Sequence, residues 1–115
     1  MKITKKTIAD IPLEEAHGGS GSRRLYIDKG QTVSQHIEAM THGYLDAGKA
    51  FEWHDHAGIE EVMYVLKGSG IVEDRDGSYD YTVGDLFIFP PDTEHRIENT
   101  GESQSEYVFF RVAAS

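Results

Sequence analysis

One stretch, Gly48 to Asn99, constrains this chain more than any other, because reactive side chains and turn-forming residues recur in it at fixed intervals. It reads Gly48, five residues, His54-Asp55-His56, four residues, Glu61, six residues and Gly68. After fifteen further residues it resumes with Gly84, five residues, Pro90, then Asp92, two residues, His95, three residues and Asn99. Side chains two apart on a strand point to one face, so a strand from Phe51 to His56 turns His54 and His56 the same way. Ala57 to Glu60 can turn the chain into a second strand, Glu61 to Leu66, on which Glu61 shares a face with Met63 and Val65. Two imidazoles and a carboxylate from adjacent strands, joined by His95, make a mixed nitrogen and oxygen set suited to a divalent transition metal. Three or four protein ligands leave positions open for water or substrate, which is the pattern of a reactive site rather than a closed structural one.

The rest of the chain reads as short strands between turn signals. Residues 1–16 carry scattered apolar residues with Pro12 among them, and are expected to form an arm packed on the domain or on a partner subunit. The segment His17 to Ser22 is rich in glycine and serine and reads as a flexible connection; a phosphate cradle needs a strand before it and a helix after it, and neither is evident. Strands are expected at Arg23 to Ile27, His36 to Leu45, Ile71 to Arg75 and Ser78 to Val83, with Asp76-Gly77 as a strong hairpin signal. The run Leu86 to Phe89 is apolar at every position and is expected to be buried on both faces. Pro90-Pro91 ends it, and His95 to Asn99 and Ser105 to Val112 close the chain. Many strands without a convincing helix give an all-β sandwich or barrel.

The two spaced motifs resemble those of the cupin superfamily. That resemblance implies a double-stranded β-helix, the cupin jelly-roll barrel, over residues 23–115, with residues 1–22 as an N-terminal arm and loop. It also identifies His54, His56, Glu61 and His95 as the metal ligands. Glu60 competes with Glu61, and the count of six residues back from Gly68 selects Glu61. Where the second motif usually carries glycine this chain has Asp92, one of the few other residues that enters the left-handed region at tolerable cost, so the turn is expected to be kept.

What such a site does is far less constrained. The resemblance implies a small-molecule metalloenzyme, an oxidoreductase such as a dioxygenase or a metal-assisted isomerase or lyase; the alternative is a non-catalytic module binding a small molecule or sugar. The cofactor is a divalent transition metal, with Fe, Mn, Ni and Zn all acceptable to these ligands. Candidate pocket residues are Met63, Val65 and Ile97, together with His42 and Tyr44 if that face of their strand lines the barrel, and Arg111 if it points inward, where it would suit a carboxylate. Metal retention is expected to weaken below about pH 6, since bound imidazole must be neutral. A formal charge of −9 argues against nucleic acid or anionic membrane as partner. The chain has no cysteine, so thiolate chemistry is excluded. No apolar run serves as signal or membrane span, so the cytoplasm is expected. A homodimer is expected because Val62 to Leu66 and Leu86 to Phe89 hold more apolar surface than a small barrel can enclose.

Overall fold

A computed structural model of the chain describes residues 2–115. Ten strands form two antiparallel sheets. They are β1 (Leu13–Ala16), β2 (Gly21–Asp28), β3 (Ile37–Leu45), β4 (Ala50–His54), β5 (Ile59–Lys67), β6 (Gly70–Asp74), β7 (Gly77–Tyr81), β8 (Leu86–Phe89), β9 (His95–Asn99) and β10 (Ser105–Ala113). The larger sheet runs β1-β2-β3-β10-β5-β8 and the smaller β4-β9-β6-β7. Two single 3-10 turns, Ile8–Asp10 and His17–Gly19, are the helical segments, and no helix among the described residues is long and apolar enough to cross a membrane. This is the all-β fold expected from the turn and strand pattern, in the jelly-roll form that the cupin resemblance implies.

The sheets face each other across a core of Leu45, Phe51, Met63, Val65, Val72, Tyr81, Phe89, Ile97, Tyr107 and Phe109. Alternation delivers these residues: Met63 and Val65 on β5 and Tyr107 and Phe109 on β10 point inward in register, Tyr107 opposite Val65 and Phe109 opposite Met63. The phenols of Tyr81 and Tyr107 and the hydroxyl of Ser105 satisfy one another inside this core, with Tyr81 Oη 2.8 Å from Ser105 Oγ. The Asp74–Gly77 pairing closes the β6–β7 hairpin at the position expected from Asp76-Gly77.

Several expectations change. The strand expected to run to His56 ends at His54, so His56 sits in the loop between β4 and β5. The run Leu86 to Phe89 is not buried on both faces: Phe89 is buried, while Leu86 and Ile88 are 59% and 61% exposed. The reason is layering, since one face of the larger sheet meets the core and Leu86 and Ile88 lie on the other, beside Tyr64 and Val62. Leu86 and Ile88 pair with Tyr64 and Val62, which lie opposite Val108 and Phe110, so an apolar surface runs across the outer face of three strands. Finally, β1 lies within the segment read as an arm and pairs with β2 from Leu13↔Arg24 to Ala16↔Gly21.

Candidate metal centre

Four side chains converge where the two sheets face each other. One nitrogen or oxygen from each of His54, His56, Glu61 and His95 lies within 4.8 Å of every other. His54 comes from the end of β4, His56 from the following loop, Glu61 from β5 and His95 from the start of β9. The loop is tied down by Asp92, whose φ is 61°. Its backbone N–H donates to the carbonyl of His56 at 3.2 Å and its side-chain oxygen accepts from Gly58 N–H at 3.1 Å. The left-handed turn is thus kept without glycine, and the carboxylate adds a clasp on the loop that carries one candidate ligand.

Hydrogen bonds fix which ring nitrogens face inward. Nδ1 of His54 donates to the carbonyl of Glu52 at 2.6 Å and Nδ1 of His95 to that of Thr93 at 2.9 Å, because a carbonyl can only accept. In the neutral rings Nε2 then carries a lone pair, the usual preparation of a metal-binding imidazole. Nε2 of His56 and of His95 are buried without any hydrogen-bond partner. They stand 3.7 Å and 3.5 Å from Oε1 of Glu61, too far for good hydrogen bonds. Two ligands about 2.1 Å from one ion lie roughly 3.0–3.4 Å apart, so a small inward relaxation around a divalent cation would satisfy every orphaned atom. The residues therefore fit a metal.

The second oxygen of Glu61 accepts from Nε of Arg111 at 2.6 Å. Burial alone would raise the Glu61 carboxyl, but His95 and the Arg111 guanidinium outweigh it and hold the pKa at about 2. Burial is also the main cause that lowers His54 and His56, and Glu61 opposes it only in part. Neutral imidazole thus persists further into acid than the sequence implied. Three ordinary histidines would lose roughly 30-fold of their combined neutral population between pH 7 and pH 6. Chelator competition at the two pH values is expected to show less than about a tenfold loss of metal affinity.

A cavity of about 360 Å³ opens beside this cluster. His54, Glu61 and Arg111 line it together with the buried Phe51, Ile97 and Phe109, and so do the more exposed Glu15, His17 and Arg23. Of the pocket residues expected from sequence, Ile97 and Arg111 reach the cavity. Met63 and Val65 share the inward face with Glu61 but are completely buried in the core. His42 and Tyr44 lie on the opposite face of β3, because the buried Thr41 and Leu45, with Gly43 in the cavity wall, take the inward one. There His42 donates through Nε2 to Glu106 at 2.8 Å and accepts through Nδ1 from the Tyr26 hydroxyl at 2.5 Å. Its polar atoms are thereby used up away from the cavity.

Sequence reading missed His17. It stands at the head of the segment taken for a flexible connection, with φ of 50°, its ring stacked on Phe51 at 4.4 Å and 5.0 Å from that of His54. Packing against these groups, then the nearby His54 and Arg111, push its pKa down to about 4. Nothing in the spacing marks this residue; a histidine before Gly18-Gly19 was the only signal.

The cupin domain family matches residues 41–111. The chain is 31% identical over 109 residues to an oxalate-binding protein of Thermotoga maritima, covering 94% of this chain and 90% of that one. It is also 31% identical over 102 residues to a probable oxalate decarboxylase of Arthroderma benhamiae, covering 84% of this chain but 25% of that protein. The match to an uncharacterized protein of Methanocaldococcus jannaschii spans about half of it, 51%. Among solved structures, a predicted oxalate decarboxylase from Thermotoga maritima superimposes with a TM-score of 0.87 at 21% identity over 96% of this chain and 99% of the other. KdgF from Halomonas sp. does so with 0.82 at 16% identity over 97% and 94%. With the ten-strand jelly roll, the spaced histidines and this match over most of its strands, the chain belongs to the cupin domain family.

Proposed function

We propose that this protein holds a divalent transition metal through His54, His56, Glu61 and His95 and uses it to take up a small oxygen-bearing acid, with oxalate as the first candidate. The observation that carries the reading is the pair of buried, partnerless Nε2 atoms facing Glu61 beside an open cavity. The name of the Thermotoga relative, which this chain matches nearly end to end, supports oxalate as the ligand. The N/O ligand set suits Fe, Mn, Ni or Zn.

When bound, the metal would supply Lewis-acid polarisation of the acid's oxygens, and with a redox-active ion the means to activate O₂. The chain's own residues do the rest. Arg111 holds Glu61 ionised and turned so that one oxygen faces the cluster while the other is occupied. Phe51, Ile97 and Phe109 exclude water from the cavity walls. His17, exposed beside the cavity and neutral at pH 7, can donate or accept a proton at its ring edge. Turnover of the bound acid by a lyase or oxidoreductase reaction is the enzymatic form of this reading. The decarboxylase relatives favour it, though the chain spans about a quarter of their length. Calorimetric titration of metal-loaded and metal-free protein with oxalate tests the binding step. Oxalate is expected to bind the loaded form alone. Equal binding to both forms would remove the metal from the account, and release of CO₂ or formate would distinguish the enzyme from the binding module.

We further read the protein as a cytoplasmic homodimer whose contact is the outer face of the larger sheet. The support is the apolar surface of Val62, Tyr64, Leu86, Ile88, Val108 and Phe110, of which Tyr64, Leu86 and Ile88 are each more than 40% exposed. Sedimentation is expected to give a species of twice the 12.9 kDa chain mass. Ile88→Lys should shift it to the monomer without loss of the fold, because Ile88 is exposed in the single chain.

A further inference from the structure

The three histidines of the cluster are not held alike. His54 and His95 each donate from Nδ1 to a backbone carbonyl, at 2.6 Å and 2.9 Å, so each ring is oriented by its own strand neighbourhood. His56 has no such bond among the described residues, and its Nε2 is buried without a partner. It also lies off the sheets, in the loop between β4 and β5. Its side chain is 20% exposed, where those of Glu61 and His95 are 2% and 1% exposed. An imidazole that no group orients has to be frozen when a metal binds, which costs affinity. What holds His56 must therefore act through the backbone of its loop.

Asp92 supplies that hold. Its N–H donates to the carbonyl of His56 at 3.2 Å and its Oδ1 accepts from the N–H of Gly58 at 3.1 Å, so one residue grips the loop on both sides of Ala57. The N–H of Ile59 closes on the same His56 carbonyl at 3.2 Å, and that of Ala114 reaches the carbonyl of Gly58 at 3.0 Å. Of these four bonds only the one from Gly58 to Asp92 depends on a side chain. The next residue, Thr93, offers the carbonyl that orients His95. The turn of the second motif thus serves a ligand of each motif, His95 through the Thr93 backbone and His56 through Asp92. Glycine at this position would adopt the φ of 61° at no steric cost and lose the side-chain grip.

We infer that Asp92 is a positioning residue for the bound metal, its carboxylate latching the loop that presents His56. The inference rests on the reading of the four side chains as a metal centre. His56 is then the ligand that lets go first. The latch sets how long the metal stays rather than whether the site forms, because His54, Glu61 and His95 stand on strands.

Cobalt(II), which nitrogen and oxygen donors also accept and whose visible absorption follows its ligands, is the probe. Its release from the full chain to excess chelator is timed. Asp92→Gly should speed release about tenfold, the low end for groups that orient a metal ligand, because Gly58 is exposed and water can replace the lost acceptor. Asp92→Asn keeps an acceptor oxygen and tolerates the left-handed turn, and should stay within about twofold of the parent. In a His56→Ala background Asp92→Gly should change release by less than about twofold, since the latch then holds no ligand. If those proteins release cobalt too fast to time, their equilibrium cobalt affinities carry the same comparison. An unchanged rate in Asp92→Gly would overturn the inference. So would a loss in Asp92→Asn as large as in Asp92→Gly, which would make charge the agent, or the full effect without His56, which would place the action at another ligand. Failure of the variants alone leaves the metal-centre reading standing; if the parent chain binds no cobalt, that reading falls and this inference with it.

Discussion

Glu61→Ala is expected to lower metal affinity by more than about 100-fold, beyond the range seen when only the groups around a ligand are changed, whereas Glu60→Ala should leave it almost untouched. The two glutamates are adjacent in sequence and on opposite faces of β5. Glu61 is 1% exposed, its Oε1 facing His56 and His95, while Glu60 is exposed. The alanine variant also strands a guanidinium. Arg111 loses its only hydrogen-bonded partner among the described residues in a position where its side chain is 23% exposed. Breaking such a pair from one side costs about 3 kcal/mol, the lower end for interior ion pairs, because water reaches the Arg111 end. Metal content after dialysis and denaturant unfolding of the apo form separate the two effects. Similar metal loss in both variants would sink the assignment of Glu61 as the carboxylate ligand.

Gly68→Ala should be strongly destabilising, and Gly48→Ala is its control. Both glycines have positive φ, 93° and 75°. At Gly48 an added Cβ meets nothing within 4 Å, so the cost is the backbone strain alone, about 1–2 kcal/mol. At Gly68 the same carbon would fall 2.2 Å from Ser105 Oγ and 2.9 Å from Ser105 Cα. Ser105 is fully buried and hydrogen-bonded to Tyr81, so it cannot simply rotate away, and a displacement of β10 follows. Overpacking of this sort adds about 1–3 kcal/mol to the strain, for a total of roughly 2–5 kcal/mol. Urea unfolding of the two variants should therefore give clearly separated midpoints. Coincident midpoints would mean that β10 gives way without cost.

Local chemistry was enough for much of this protein. Turn residues between short apolar runs specify a β fold whatever the tertiary context, because proline, glycine and Asp-Gly pairs act on the backbone within a few residues. The fixed intervals around His54, His56, Glu61 and His95 specify which side chains can meet, since the turn and strand lengths between them leave little slack. Asp92 entering the left-handed region was legible for the same reason. Which face of a strand lies inside was not. On β3 both faces mix polar and apolar residues, and the choice of Thr41, Gly43 and Leu45 over His42 and Tyr44 depends on β2 and β10 on either side. The exposure of Leu86 and Ile88 follows from their lying on the outer face of the larger sheet, which an apolar run cannot announce. The Glu61–Arg111 pair joins residues 50 apart, and the approach of His17 to His54 depends on β1 and β2 folding the N-terminal segment over the cavity. Sequence by itself pointed to the candidate ligand set and the class of fold, because both are written in spaced motifs and turn residues. The tertiary structure alone decided what surrounds the ligands and what covers the mouth, because those contacts join segments whose mutual placement no local preference encodes.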